Sequence, residues 1–362
     1  GRSQELGVRA LDDTTLSVEL EVPTGYLLHL LACWIAYPIP RHLVETRGDD
    51  WAAPESIATN GPFTLASWQP GDSMVLERHP RYHGAVAGNV DRVEITFYQT
   101  EKLSAPVDMY LGGLSDVLQL PAEQSIETMD RLRKSHAAEW VTLPSANTGS
   151  MIFDVARPPF DDARVRRAFA YAMDRGRQVD ERWGGYWETV TGGYVPPGIP
   201  GHVPGIALAY DPERARQLLA EAGYPGGAGF PEVEFWAKES WRPDPGSPEE
   251  PDDLVGKWNN NLNLEIKWRY GRRSVEYGDS IDSAPPHIHF GGWIIDYPDP
   301  DCYLRVALQV LSAWRHEPYL ELVERARRSL DQAKRMALYA QAERILAEEV
   351  PILPMDYDRK HH

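Results

Sequence analysis

Cysteine is almost missing from this sequence. Only Cys33 and Cys302 occur in 362 residues, which excludes a disulfide-rich scaffold and a zinc ribbon. Long apolar runs are missing too, since no stretch reaches the ~18–20 continuous apolar residues of a membrane span. There is no glycine-rich phosphate loop. GGAG at 226–229 follows a helix end and precedes Phe230-Pro231, the setting of a linker. The G-x-S-x-G elbow is absent, and neither cysteine has a matching histidine pattern. Positive charge is scarce: 37 Lys and Arg face 54 Asp and Glu, a formal net charge of -17. Nucleic acid and anionic membrane surfaces would be repelled by such a chain. No signal-peptide pattern stands at Gly1, which reads as either a cytoplasmic chain or one already processed.

What is present is ordinary in bulk and unusual in its rings. Hydrophobic residues make up 42% and charged residues 25%, the proportions of a folded chain, and the length suggests about two domains. The 12 Trp and 17 Tyr exceed what a routine core needs, and such rings also line ligand clefts.

The hydrophobic pattern begins with sheet. Leu16, Val18, Leu20 and Val22 alternate with Ser17, Glu19 and Glu21, predicting a half-buried strand. Further strands are expected at 74–78 and 92–98, with a hairpin turn at 70–72, and a helical stretch at 121–135. Beyond residue 160 helices become frequent. Asp161 or Asp162 caps one whose Val165, Ala168, Phe169, Ala172 and Met173 form an apolar stripe. DPERARQLLAEAG carries Asp211 at the cap, Pro212 in the first turn and Gly223 past the end. Residues 262–270 alternate and predict a strand, whereas 331–349 predict a last amphipathic helix. Proline- and glycine-rich joints fall at 194–205 and 241–251. Mixed in this way, the elements predict an α/β or α+β protein with two lobes.

The candidate chemistry gathers at GGWIIDYPDPD, residues 291–301. An apolar strand runs into a proline-broken turn holding Asp296, Asp299 and Asp301. Four readings are open. His287 and His289, two apart on a strand, would share a face and with the aspartates form a metal site or a metal-dependent hydrolase. The calcium-hand pattern fails, lacking glycine at the sixth position and glutamate at the twelfth. Paired carboxylates would serve as acid and base. Alternatively the aspartates only shape a turn. In the fourth reading, Gly291-Gly292 admits an extended ligand as an added strand and a carboxylate meets its cationic end.

Several blocks fall into one pattern: GVRALDDTTLSVELEVPTGYLLHLLA (7–32), NGPF with the W-x-P-G-D and L-E-R-x-P-x-Y blocks, and PPFDDARVRRAFAYAMDR (158–175). YVPPGIPG (194–201), YDPERARQLLAEAGYPGG (210–227), GGWIIDYPDPD and KRMALYAQAERILAEEVPILPM (334–355) continue it. Together they resemble the family-5 solute-binding proteins of ABC importers, the oligopeptide, dipeptide and nickel binders. The resemblance implies a two-lobed, periplasmic-binding-protein-like (type II) α/β fold with mixed sheets. It implies no catalysis, no cofactor and no metal, an extracytoplasmic location (periplasmic or lipid-anchored), and delivery to an ABC permease. The bound partner would be a peptide or other small solute with a cationic end, held in an interlobe cleft by a monomer. By the same resemblance Asp296 would hold the ligand's α-amino group, while Gly292, Trp293 and Ile294 would offer main chain to it beside Tyr297.

The family also has a long segment ahead of the GVRALDD block, so lobe one is expected to be incomplete. That leaves association, or a structural module without transport ligand, as the alternative. Residues 1–152 are expected to form the lobe-one part, 153–355 lobe two, and 356–362 a tail with the look of a tag remnant. At 145–154 the tyrosines frequent in peptide binders are replaced by Asn147, Thr148, Gly149, Ser150 and Met151.

Overall fold

A computed structural model describes residues 7–85, 88–97, 105–120, 124–238, 254–271 and 286–362. In chain order the elements are β1 (Val8–Ala10), β2 (Leu16–Val18), α1 (Leu27–Leu31), α2 (Arg41–Arg47), β3 (Phe63–Gln69), β4 (Ser73–Arg78) and β5 (Arg92–Thr96). Then come α3 (Ala105–Leu111), α4 (Ile126–Ser135), β6 (Thr142–Phe153), α5 (Ala163–Tyr171), α6 (Arg175–Trp183), β7 (Glu188–Thr189), α7 (Pro212–Glu221) and β8 (Glu234–Lys238). The rest are α8 (Leu254–Leu262), β9 (Lys267–Gly271), β10 (Ile288–Ile294), a π-turn at Cys302–Ala307 running into α9 (Leu308–Leu311), α10 (Glu317–Arg327), α11 (Gln332–Glu349) and β11 (Ile352–His361).

The chain forms two compact units. The larger holds residues 1–33 and 142–360, the smaller 34–141 and 361–362. This cut falls elsewhere than the lobe boundary expected at 152, because β6 is one continuous strand through that point. The expected tail at 356–362 is likewise strand: Asp356 and Tyr357 pair with Thr189 and Glu188. Further on, Val141 and His362 exchange two 2.8 Å main-chain hydrogen bonds inside the smaller unit.

The larger unit is built on a six-stranded mixed sheet in the order β7-β11-β6-β10-β8-β9. Strand alternation assigns its two faces. Met151 and Phe153 of β6 and Ile288 of β10 enter one core with Phe169, Leu218, Leu219 and Trp258 of α5, α7 and α8. Ile152 enters the other, with Trp293 against Tyr303, Tyr319, Leu338 and Tyr339. A sheet covered by helices on both faces is the layered arrangement such a pattern requires.

Caps fix the helices where the sequence places them. Asp162 accepts from Arg164 N at 2.8 Å, Asp211 from Arg214 N at 2.9 Å, and Asp331 from Lys334 N at 3.1 Å. Gly223 adopts φ +103°, past the end of α7. The strand expected at 262–270 is corrected to residues 267–271. Leu262 closes α8, and Asn263 turns the chain out of it at φ +55°. Leu264 and Ile266 are buried as the alternation demands, but in a connection. The first strand is also shorter, covering only Leu16–Val18. The joint at 241–251 lies outside the described residues.

The joint at 194–205 is tied down by a buried acid. Glu343 of α11 is 1% exposed and its Oε1 accepts from Val195 N at 2.7 Å. Burial pushes its carboxyl up to about 8, against backbone hydrogen bonds from Val195, Tyr194 and Val203. Gly193 leaves room for this contact, since a Cβ there would lie 2.2 Å from Glu343 Cδ.

The smaller unit carries the three-stranded sheet β3-β4-β5, at the strands expected near 74–78 and 92–98. Its described core is thin, with Val107, Leu118, Leu120, Met129 and Leu132 buried. Trp34, Ile35 and Tyr37 are exposed.

Candidate functional site

The three aspartates of the acidic turn have three different environments. Asp299 is 2% exposed and accepts two hydrogen bonds, 2.7 and 2.8 Å, from Arg335, itself 1% exposed. Asp301 is fully buried and binds Arg305 Nε at 2.9 Å, Tyr297 Oη at 2.6 Å and Tyr339 Oη at 3.2 Å. Burial pushes the Asp301 carboxyl up, but the hydrogen bonds from Arg305 and Tyr297 outweigh it and hold its pKa below the ordinary value. These two therefore pin the turn to α11 and to the π-turn. Asp296 alone is exposed.

Neither buried aspartate joins His287 or His289. His287 Nδ1 accepts from Glu234 N at 3.4 Å, and burial lowers the pKa of His289 to about 4. Among the described residues no three His, Cys, Asp or Glu side chains gather to hold a metal.

β10 aims the remaining carboxylate. It pairs antiparallel with β6 over its whole length, setting Gly292 opposite Gly149, Trp293 opposite Thr148 and Ile294 opposite Asn147. Its other edge pairs with β8 at Ile288 and His289 alone among the described residues. Among the described residues, the main chain from Phe290 to Ile294 pairs with β6 alone. Exposure alternates along this stretch: Gly292, Ile294 and Asp296 are open, with Ile294 70% exposed, and Trp293 and Ile295 are half-buried. On the same face Ile288 is buried in the helix-covered core and Phe290 packs against it, with Arg182 of α6 over its ring.

The expected site residues separate accordingly. Gly292, Ile294 and Asp296 share an exposed face. Trp293 turns inward and its Nε1 donates to Cys302 Sγ at 3.3 Å. Tyr297 is buried, stacked on Tyr26 with centroids 5.4 Å apart, and its phenol pKa is raised by burial and by Asp301. These two support the site from behind.

Cross-strand register adds a residue that carried no sequence signal of this kind. Asn147 faces the same side as Ile294, and a Cβ on Gly292 would lie 3.4 Å from its Oδ1. That oxygen is buried without a hydrogen-bond partner, a costly arrangement unless something donates to it. The preceding Ala146 sits at φ +47°, in the left-handed region unfavourable to alanine. Its carbonyl is held there by Tyr303 Oη at 2.5 Å and Ile295 N at 3.3 Å. Strained backbone held from two sides is typical of a preorganised site.

An exposed strand end, an exposed carboxylate and an unpaired amide oxygen suit an extended ligand rich in donors. The probable deoxycholate-binding periplasmic protein YgiS of Escherichia coli (strain K12) is 27% identical over 365 residues, 97% of this chain and 65% of its own. The periplasmic oligopeptide-binding protein OppA of the same strain is 27% identical over 375 residues, 98% of this chain and 65% of its own. The chain therefore spans 65% of the length of these curated relatives. Among solved structures, HbpA2 from Haemophilus parasuis superposes with a TM-score of 0.79 at 20% identity, covering 98% of this chain and 70% of that one. The periplasmic binding protein DppA from Helicobacter pylori, in complex with peptide STSA, gives 0.72 at 20% identity, covering 98% and 69%. These likenesses establish the type II periplasmic-binding-protein fold. With its sequence matching over residues 2–310, the chain belongs to the bacterial extracellular solute-binding proteins, family 5.

Proposed function

We propose that the protein is the extracytoplasmic solute-binding component of an ABC importer, taking a peptide or peptide-like solute with a cationic end and passing it to a membrane permease. It performs no chemistry on its ligand. The observation that carries this reading is the exposed face of Gly292, Ile294 and Asp296 at the end of β10, where β6 is the one strand partner among the described residues. An extended ligand adds to that strand end through its main chain, and its ammonium meets Asp296 through a charge-assisted hydrogen bond. Asn147 then accepts a second donor of the ligand. Asn147 lies opposite Ile294, two residues from Asp296, so the two contacts are roughly 7 Å apart along the strand at ~3.3 Å per residue.

One relative is named for deoxycholate, an anionic steroid, and an exposed carboxylate would repel it. Thermal unfolding of the full chain distinguishes the two ligands. Trialanine in excess is expected to raise the melting temperature, since a ligand at ~100 Kd contributes ~2.7 kcal/mol. Deoxycholate is expected to leave it unchanged. Stabilisation by deoxycholate alone would remove the peptide reading.

A further inference from the structure

The only two cysteines of the sequence, 269 positions apart, converge on one residue. Cys33 Sγ donates to Asp296 O at 3.1 Å and to His29 O at 3.4 Å. Cys302 Sγ accepts from Asp296 N at 3.4 Å and lies 3.8 Å from Asp296 Oδ2. Both thiols therefore touch the main chain of the same residue, Cys302 at its N–H and Cys33 at its carbonyl. Each is held by the fold: Cys33 follows α1, whose Tyr26 stacks on Tyr297, and Cys302 opens the π-turn and is fully buried. Both are free thiols in this structure.

We propose that Cys33 and Cys302 are a disulfide pair that closes over Asp296 when the protein meets an oxidising compartment. The step is thiol–disulfide exchange. One thiol loses its proton and attacks a disulfide oxidant, releasing one oxidant thiol and leaving a mixed disulfide. The second thiolate then displaces the other oxidant thiol, so two electrons leave the protein and the Cys33–Cys302 bond remains. Cys33 is half-exposed and is the entry point, while burial pushes the Cys302 thiol pKa up and makes it the slower, resolving partner. The bond ties the residue that ends the first segment of the larger unit to the turn that carries the candidate anchor. It also withdraws both S–H donors from Asp296, leaving its carboxylate free of the Cys302 thiol. This pairing stands on the two contacts alone and does not depend on the ligand.

The probe is oxidised glutathione, applied to the full chain after reduction. Peptide mapping without reductant is expected to recover one species joining the Cys33 and Cys302 peptides, lighter than their sum by two hydrogens. Denatured oxidised protein should then show no titratable thiol. The cross-link closes a very long loop, so oxidation is expected to raise the melting temperature by roughly 5 °C, reversibly with dithiothreitol. Cys33→Ser keeps the buried Cys302 and is expected to fold, to lose the shift, and to leave Cys302 slow towards maleimide under native conditions. Glutathione adducts on each cysteine separately, chain dimers, or two free thiols after oxidation would overturn the proposal.

Discussion

Glu343→Gln is expected to make the protein more stable at neutral and alkaline pH. The native state keeps this buried carboxyl protonated up to about pH 8, whereas its reference pKa is 4.5. Between those values the native state binds more protons than the unfolded chain, so its stability falls as pH rises. The contribution is whole below about pH 4.5, declines through the window, and levels off above 8. At ~1.4 kcal/mol per unit, the loss is on the order of 3 kcal/mol at pH 7 and ~5 kcal/mol above pH 9. Glutamine keeps the oxygen that Val195 N donates to at 2.7 Å but cannot ionise. Urea unfolding of both proteins from pH 5 to 9 measures the effect. The variant should gain on the wild type steadily above pH 5, with the difference flattening beyond pH 8. Parallel stability curves across this range would refute a proton held at Glu343.

Arg335→Met should cost ~3–5 kcal/mol, because it leaves Asp299 buried and unpaired. In the double variant with Asp299→Asn, urea unfolding should show much of that loss recovered. Asn147→Ala is expected to weaken a bound tetrapeptide by ~1–2 kcal/mol with little change in melting temperature, since its Oδ1 has no internal partner to lose. Gly292→Val should also abolish peptide binding, because a Cβ at 292 already falls 3.1 Å from Thr148 O and covers the bare face. Calorimetric titration reads both, and unaltered affinity in both variants would remove the face from the site.

The elements most legible in the sequence were those whose signals are local. α7 announces itself through Asp211, Pro212 and Gly223, all within one helix length. The β3–β4 hairpin is likewise fixed locally, by the turn at 70–72 and the alternation that follows it. The segment at 262–270 misled because burial, not strand geometry, sets the alternation of Leu262, Leu264 and Ile266. At the site, sequence singled out the turn but could not distinguish its aspartates. The distinction depends on Arg335, 36 residues beyond Asp299, and on Arg305, one helical turn past Asp301. Asn147 was visible as a departure from the tyrosines of peptide binders, but its place opposite Ile294 follows only from the β6–β10 register. The meeting of Cys33 and Cys302 at Asp296 is a tertiary fact with no local trace.

The central claim is that Asp296 grips a positive charge at the end of β10. Trialanine and its N-acetyl derivative, titrated calorimetrically into wild type and Asp296→Asn, test it as a four-cornered cycle. Losing the amine's charge or the carboxylate's should each cost ~2–5 kcal/mol, and losing both should cost little more than losing one. Full affinity of Asp296→Asn for trialanine, or wild-type binding indifferent to acetylation, would contradict the account.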